Sequence, residues 1–147
     1  MTTAVIVDAI RTPLGKRNGK LKDWHPVDLA SEVLKALVDR TGIDPAIVED
    51  VVMGCVMQVG EQGVNIARNA VLAAGWPESV PGTTVDRQCG SSQQAAHFAA
   101  QAVLSGAHDV IVAAGVAAVL SFVWYYFRFW YFSRRFVPGF ERIKCIV

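Results

Sequence analysis

The stretch that decides the fold is VPGTTVDRQCGSSQQAAHFAAQAVLSGAHDVIVAAGV, residues 80–116. The β-branched run Thr83–Val85 predicts a strand, and the polar residues Asp86–Gln88 predict a turn before Cys89. An Ala-rich segment that continues to Leu104 predicts a helix. The order of these segments therefore places a thiol where a strand ends and a helix begins.

Cys89 has two interpretations at this position. Backbone N–H groups in the first helical turn have no partner within the helix, and the helix dipole adds about half a positive charge there, so the thiolate should be favoured. A thiolate is the nucleophilic form of cysteine. A free cysteine is also among the most buried residue types and behaves as a small hydrophobe. Spacing alone leaves both the nucleophile and the core residue open.

Segments with the hydrophobic pattern of a strand alternate with segments that have the pattern of a helix along the rest of the chain. Strand patterns cover Ala4–Ile10, Val51–Met57 with Cys55 inside it, and Val110–Val116, and helix patterns cover Val27–Thr41, Val64–Ala74 and a short turn begun by Asp44 and Pro45. Strands that alternate with helices predict an α/β fold, a mostly parallel sheet covered by helices. The helix after Cys89 is apolar on so many sides that we expect it to be buried at the centre of the protein.

Composition bounds the functional classes. The chain has 147 residues, 52% hydrophobic and 18% charged, with a net charge of +1, which suits one globular domain. The basic residues in 1–116 are scattered and do not cluster on one face, so the sequence does not indicate a surface that binds nucleic acid. Three cysteines suggest neither a disulfide framework nor a zinc site, and we expect a reducing, cytoplasmic environment and no signal peptide. The basic loop 11–26 is expected to be a solvated face, although contact with CoA phosphates is an alternative.

Three segments together resemble one family. The opening AVIVDAIRTPLGKRNGKL, the middle VVMGCVMQVGEQGVNIARNAVLAAGWPESVPGTTV and the segment VDRQCGSSQQAAHFAAQAVLSGAHDVIVAAGV resemble thiolases, in the same order, across residues 1–116. Thiolases are acyltransferases that cleave 3-ketoacyl-CoA or condense two acyl-CoA molecules. The resemblance implies a layered, incomplete half-subunit and a partner, either a second copy or a complete thiolase subunit.

The resemblance also implies a mechanism. Cys89 would attack a thioester or 3-keto carbonyl and carry the acyl group, and its backbone N–H would be one donor of an oxyanion hole. CoA thioesters would be the substrates, with no further cofactor and no metal. The family's base histidine, second cysteine, oxyanion Asn and His, and CoA-binding loops belong to a second half with no counterpart here, and Cys145 lacks the setting of that second cysteine. We therefore expect a truncated chain that is inactive alone.

Four other polar residues receive less specific expectations. His97 lies eight residues after Cys89, about 12 Å along a helix, and cannot be its base. His25 is expected to be an ordinary surface histidine. Asn65 and Arg68 resemble the family's helix near the subunit contact and the nucleophile loop, and for Arg68 a structural ion pair is expected.

The composition changes abruptly after residue 116. Residues 117–147 hold 11 of the 14 aromatic side chains, and they depart from the thiolase pattern. We therefore divide the chain into a partial thiolase N-terminal domain, 1–116, and an aromatic-rich tail of unknown fold, 117–147. The tail has three interpretations: a membrane span, since Val110–Phe127 carries no charge; a frameshift product; or an amphipathic segment for a membrane surface or a partner. A non-catalytic fragment bound to a complete subunit and a membrane-attached protein are the alternative functions.

Overall fold

The described part of the chain forms three α-helices and one parallel sheet. The computed structural model describes residues 3–16 and 18–116, together with the backbone of 144–146. Its elements in chain order are α1 (Pro26–Thr41), β1 (Asp50–Gly54), α2 (Ile66–Ala73), β2 (Gly82–Val85), α3 (Ser91–Ser105), β3 (Val110–Gly115) and β4 (Lys144–Ile146). Short 3₁₀ helices occur at Pro45–Ile47 and Gly60–Gln62.

The sheet has the order β2-β1-β3-β4, and each neighbouring pair is parallel. Strand β1 is central, so its side chains are buried on both faces. Val51 and Met53 join one core cluster and Val52 joins the other, as the alternation of side chains along a strand requires. An α/β fold with a parallel sheet covered by helices is thereby confirmed.

Helices cover the two faces of the sheet separately. Helices α1 and α2 pack on one face, where Leu34, Leu37 and Ile66 join the larger core cluster. Helix α3 packs on the other face through Ala95, Ala99 and Val103, which join the smaller one. The small alanine side chains let α3 lie close to the strands, and this brings its first turn over the sheet edge.

The ends of α1 and the C-terminal end of α3 lie within one residue of their sequence patterns, whereas α2 is Ile66–Ala73 and begins two residues later than its pattern at Val64. Gly42 ends α1 with φ 67°, and Gly106 ends α3 with φ 76°, both in the left-handed region that glycine adopts without strain. Asp44 accepts a hydrogen bond from the Ala46 N–H, and Pro45 begins the short helix after it, as the sequence predicts.

The predicted first strand at Ala4–Ile10 is wrong. Only Ile6 in this segment forms an isolated β-bridge, and its side chain is 69% exposed. A strand needs a hydrogen-bonding neighbour. Strand β1 pairs with β2 and β3, β4 pairs with the other edge of β3, and the segment at residues 4–10 joins none of them.

The second predicted strand, Val51–Met57, is shorter than expected. Strand β1 ends at Gly54, which is level with Val85 of β2 and Gly115 of β3, the last residues of those strands. With both neighbours ending at this level, the chain leaves the sheet at Cys55. Cys55 is therefore not inside the strand, although it is buried in the core as predicted, with 1% exposure.

Helix α3 is not a fully buried helix. One side is buried against the sheet, whereas Phe98 is 45% exposed and Leu104 is 52% exposed on the other. The many apolar positions predict burial on several sides, but the described residues supply a packing surface on only one. An apolar stripe of α3 therefore faces outward.

The interpretations of the tail fall on residues 117–143 and 147, which lie outside the described residues; only the backbone strand β4 is described beyond residue 116. Among the described residues, every helix is too short or too polar to cross a lipid bilayer.

Candidate active site

Cys89 lies in the turn between β2 and α3. Because the strands are parallel, their carboxyl ends share one edge of the sheet, the usual place for ligand sites in open α/β folds. Strand β2 ends at Val85 and α3 begins at Ser91, so the turn Asp86–Gly90 lies at that edge. The side chain of Cys89 is exposed. Its position at a helix start is confirmed, and it is not a core residue.

Two glycines let the start of α3 lie against the ends of the central strands. A Cβ atom on Gly54, at the end of β1, would lie 2.6 Å from Ser91 O and still closer to Ser91 C and Ser92 N. A Cβ on Gly115, at the end of β3, would lie 2.6 Å from Ser92 Cβ. Real Cβ atoms do not approach other atoms so closely. Because both positions lack a side chain, the first turn of α3 can lie directly against the ends of β1 and β3.

The turn that carries Cys89 is held by hydrogen bonds from both sides. Ser91 Oγ accepts from the Arg87 N–H at 2.9 Å and donates to Gln88 O at 2.8 Å. Asp86 Oδ1 accepts from the Gln88 N–H at 2.8 Å. The Gly90 N–H donates to Arg87 O at 2.9 Å, which closes the turn.

Gln88 has an unusual backbone conformation. Its φ is 45°, in the left-handed region that residues with a Cβ rarely adopt. Such a conformation costs about 1–3 kcal/mol and persists where the surroundings impose it, commonly at functional sites. The Gln88 peptide is held by Asp86 on its N–H side and by Ser91 on its carbonyl side.

Within residues 3–16 and 18–116, the only backbone pairing of Cys89 is an isolated bridge to Arg87 in its own turn. Neither its thiol nor its backbone N–H is hydrogen-bonded there. The exposed thiol and the unpaired N–H are thus available to an incoming group, which is the arrangement that attack on a carbonyl needs. Whether the helix start favours the thiolate stays a prediction.

Arg87 and Gln94 connect the turn to the helix. An Arg87 guanidinium N–H donates to Gln94 Oε1, and Gln94 is 8% exposed. This bond joins the residue two before Cys89 to the second turn of α3. It gives the turn a further fixed point, and no sequence motif signalled it.

Cys55 is the second described thiol, and it differs from Cys89 in its burial and in its hydrogen bonds. It is buried, and its Sγ lies 3.4 Å from Gln62 Oε1. Burial raises the pKa of the Cys55 thiol, and the nearby Asp86 carboxylate raises it further, while a hydrogen bond to Met57 O acts in the opposite direction. Cys55 is therefore a packed, protonated thiol at neutral pH.

Two of the less specific expectations need correction. Arg68 forms no ion pair with any described carboxylate; its guanidinium donates to Val80 O at 2.5 Å and to Glu78 O at 2.9 Å. Arginine spreads five donors over a planar fork, so backbone carbonyls can replace a carboxylate. His25 is exposed, as expected, but it also has a structural role: its Nδ1 accepts a hydrogen bond from the Val27 N–H at 3.2 Å and caps α1. Its place before Pro26 and a helical pattern was the available signal.

Asn65 holds α2 against β2. Its side chain accepts from the Arg68 N–H at 3.2 Å as the helix cap and donates to Gly82 O at 2.7 Å. Its Oδ1 also accepts from Thr84 Oγ1 at 2.7 Å. The position just before the helix signalled the cap, whereas the bonds across to β2 depend on tertiary packing.

The remaining candidate groups lie apart from Cys89. His97 is exposed on α3, and none of the described hydrogen bonds joins it to the thiol. Arg11, Lys16, Lys20 and Lys22 of the basic loop are exposed, as a solvated face would be. Within the described ranges no three His, Cys, Asp or Glu side chains are grouped so that they could hold a metal ion.

The fold and the turn define a class: a parallel α/β domain that presents a cysteine at the start of a helix. Residues 4–121 match the model of the thiolase N-terminal domain, and the chain belongs to the thiolase family. It is 61% identical over 116 residues to the steroid 3-ketoacyl-CoA thiolase FadA6 of Mycobacterium tuberculosis, covering 79% of this chain and 28% of that protein. It is 50% identical over 118 residues to the 3-ketoacyl-CoA thiolase of Pseudoalteromonas translucida, covering 79% of this chain and 30% of that one. The chain thus spans less than a third of either relative.

Proposed function

We propose that this chain performs the nucleophilic half of a thiolase reaction, with Cys89 as the residue that accepts the acyl group. The observation that carries the proposal is the turn at the sheet edge, which presents an exposed thiol and a Cys89 N–H that no described residue accepts, at the start of α3. Membership of the thiolase family supports it, and so do the names of the relatives, which are 3-ketoacyl-CoA thiolases. Acyl-CoA is the proposed substrate.

The proposed chemistry moves an acyl group from C2 of a 3-ketoacyl-CoA to the Cys89 sulfur and then to the thiol of CoA. The Cys89 thiolate attacks the C3 carbonyl of a 3-ketoacyl-CoA, and the Cys89 N–H stabilises the oxyanion. The bond between C2 and C3 then breaks, and its electron pair leaves with acetyl-CoA, which takes up a proton. The acyl group stays on sulfur as a thioester until the thiol of CoA attacks it and restores Cys89.

The residues described so far supply only part of this machinery. Attack at neutral pH needs a base for the thiol, and proton delivery to the leaving acetyl-CoA needs an acid. The thiolase resemblance puts those groups in a second half. We propose that the chain alone is acylated slowly at Cys89 and does not turn over.

The experiment that tests this proposal is acylation by a natural thioester. The protein is incubated with acetyl-CoA, and the three cysteine peptides are analysed by mass spectrometry. We expect one acetyl group on the Cys89 peptide and release of an equal amount of CoA. Cys89→Ser should abolish the adduct, whereas the matched variant Cys55→Ser should keep it. An adduct spread equally over all cysteines, or none at Cys89, would refute the proposal.

A second candidate function is association with another thiolase subunit, either a second copy of this chain or a complete subunit. The outward side of α3 favours it, because Phe98 is 45% exposed and Leu104 is 52% exposed there. Exposed apolar surface of this kind is typical of a protein interface. Light scattering after size exclusion, with and without a complete thiolase, is the test. A strictly monomeric chain that does not bind the complete subunit would exclude this candidate.

A cytoplasmic location is the last part of the proposal, and attachment to a membrane through the aromatic tail is the alternative to it. The thiols of Cys55 and Cys89 are free, which suits a reducing compartment. Cell fractionation separates the two: protein that stays with membranes in high salt would favour attachment over a cytoplasmic enzyme.

A further inference from the structure

We infer that Ser91 is a positioning residue for Cys89: its hydroxyl holds the turn in the conformation that aims the thiol and the backbone N–H at an acyl carbonyl. The inference rests on the proposed function and adds to it a residue that acts through Cys89 and does not itself touch the substrate.

The first support is that the Ser91 hydroxyl uses both of its hydrogen-bonding capacities on the turn. It accepts from the Arg87 N–H at 2.9 Å and donates to Gln88 O at 2.8 Å. These groups belong to the two residues that precede Cys89. The side chain is 4% exposed, so water does not readily replace either bond.

The second support is the conformation of Gln88. With φ at 45°, it stays in a region that its side chain disfavours. The bond from Ser91 to Gln88 O is one of the interactions that hold it there. Without the hydroxyl, Gln88 keeps only the bond of its N–H to Asp86 and a longer bond from the Ser91 N–H to its carbonyl, at 3.3 Å. A rotation of Gln88 toward an ordinary conformation would change the direction of the peptide that leads into Cys89.

The third support is that no described hydrogen bond acts on the Cys89 thiol or N–H directly, so Cys89 is positioned only through the turn around it. Its side chain is exposed. Ser91 is itself fixed, because the Ser91 backbone lies against Gly54 at the end of β1. The Ser91 hydroxyl thus connects the sheet, on which the Ser91 backbone lies, to the turn that carries Cys89.

The test compares two reactions of Cys89 in the variant Ser91→Ala. Acylation by acetyl-CoA needs the N–H in place for the oxyanion, whereas alkylation by iodoacetamide is a displacement that does not. We expect acylation to fall at least about tenfold, since small misplacements at a reacting centre are costly. Alkylation of Cys89 should change less than about threefold, because the thiol remains exposed. An equal fall in both reactions, or in neither, would overturn the inference.

Two controls separate positioning from loss of structure. Ser105→Ala removes a hydroxyl that also bonds a backbone carbonyl of α3, at 2.9 Å, but at the far end of the helix, and it should leave acylation unchanged. Buried Cys55 reports on folding, and it should stay unreactive toward iodoacetamide in Ser91→Ala. A reactive Cys55, or an equal loss of acylation in Ser105→Ala, would mean a general structural role and would overturn the inference.

Hydrogen exchange distinguishes a failure of this inference from a failure of the proposed function. If the wild-type protein is not acylated, the proposed function is refuted, and the role of Ser91 is then decided by the amide of Arg87, which donates to its hydroxyl. Faster exchange at Arg87 in Ser91→Ala, but not in Ser105→Ala, would support the hold on the turn. Unchanged exchange would overturn it.

Discussion

Replacing Gly54 by alanine tests how the sheet supports the nucleophile turn. Gly54 ends β1, and a Cβ there would lie 2.6 Å from Ser91 O, with Ser91 C and Ser92 N closer still. Ordinary contacts begin at 3.4 Å, so the first turn of α3 has to move by about 0.8 Å or more to admit the methyl group. The obstructing atoms are backbone, which cannot rotate away as a side chain can.

The expected cost follows from overpacking. Forcing an extra methyl group into a packed site costs about 1–3 kcal/mol. The reduced freedom of the unfolded chain returns about 0.4–1 kcal/mol when glycine becomes alanine. We expect the free energy of unfolding of Gly54→Ala to fall by about 1–2 kcal/mol, and Cys89 acylation to fall with it because α3 begins at the displaced turn.

Urea unfolding followed by circular dichroism measures the first effect, and acylation of Cys89 by acetyl-CoA measures the second. The matched control is Gly15→Ala, where a Cβ would meet only the Leu21 side chain, at an ordinary 3.6 Å. It should leave acylation unchanged and should not lower the free energy of unfolding, which the reduced freedom of the unfolded chain would raise by about 0.4–1 kcal/mol. A Gly54→Ala protein as stable as the wild type and equally acylated would show that α3 is not seated on β1 as described.

Three further predictions follow from other contacts. His25→Ala should lower the free energy of unfolding by about 1 kcal/mol, since the Val27 N–H loses its cap; His25→Asn, which restores a capping side chain, should recover most of it, and equal losses in both would contradict the cap. The N–H groups of Asp109 and Val110 hold the pKa of the Glu49 carboxyl below its usual value. Its contribution to stability should therefore be complete above the unfolded pKa of 4.5 and disappear as pH falls through the lower folded pKa. Urea midpoints of wild type and Glu49→Gln, measured from pH 7 downward, should converge, and a constant difference would contradict this. Cys55 should be alkylated by iodoacetamide at pH 8 at least about a hundredfold more slowly than Cys89 until urea unfolds the protein, because burial both shields it and raises its pKa; comparable rates would contradict its burial.

The sequence predicts local features of this protein well. The helix pattern at Val27–Thr41 and the short helix opened by Asp44 are confirmed, because each depends on neighbouring residues alone. The position of Cys89 between a strand and a helix is confirmed for the same reason. The thiolase family is confirmed by the match over residues 4–121.

Features that depend on distant partners were predicted poorly. The pattern of Ala4–Ile10 is that of a buried strand, but a strand forms only beside another, and this segment joins none of the four strands of the described sheet. The apolar sides of α3 predict full burial, yet only one side has a partner among the described residues. Arg68 was expected to meet a carboxylate and meets two backbone carbonyls, whose direction depends on how the loop after α2 folds.

The supports of the candidate site were likewise invisible in the sequence. Ser91 lies two residues after Cys89, but its hydrogen bond to Gln88 O depends on the left-handed conformation of Gln88. A glycine would have indicated that conformation in the sequence, and position 88 is a glutamine. Gly54 lies 35 residues before Cys89 in the chain, and Gly115 lies 26 residues after it. Only the parallel register of β1 and β3 brings both glycines under the first turn of α3.

The most direct test of Cys89 as the acyl-accepting nucleophile is labelling with a thiol-reactive acyl-CoA analogue, with the adduct located by mass spectrometry. The account predicts rapid, saturable labelling of Cys89 in preference to Cys55 and Cys145, competition by acetyl-CoA, and loss of that label in Cys89→Ser. Labelling that shows no preference among the three thiols, or that does not saturate, would contradict it.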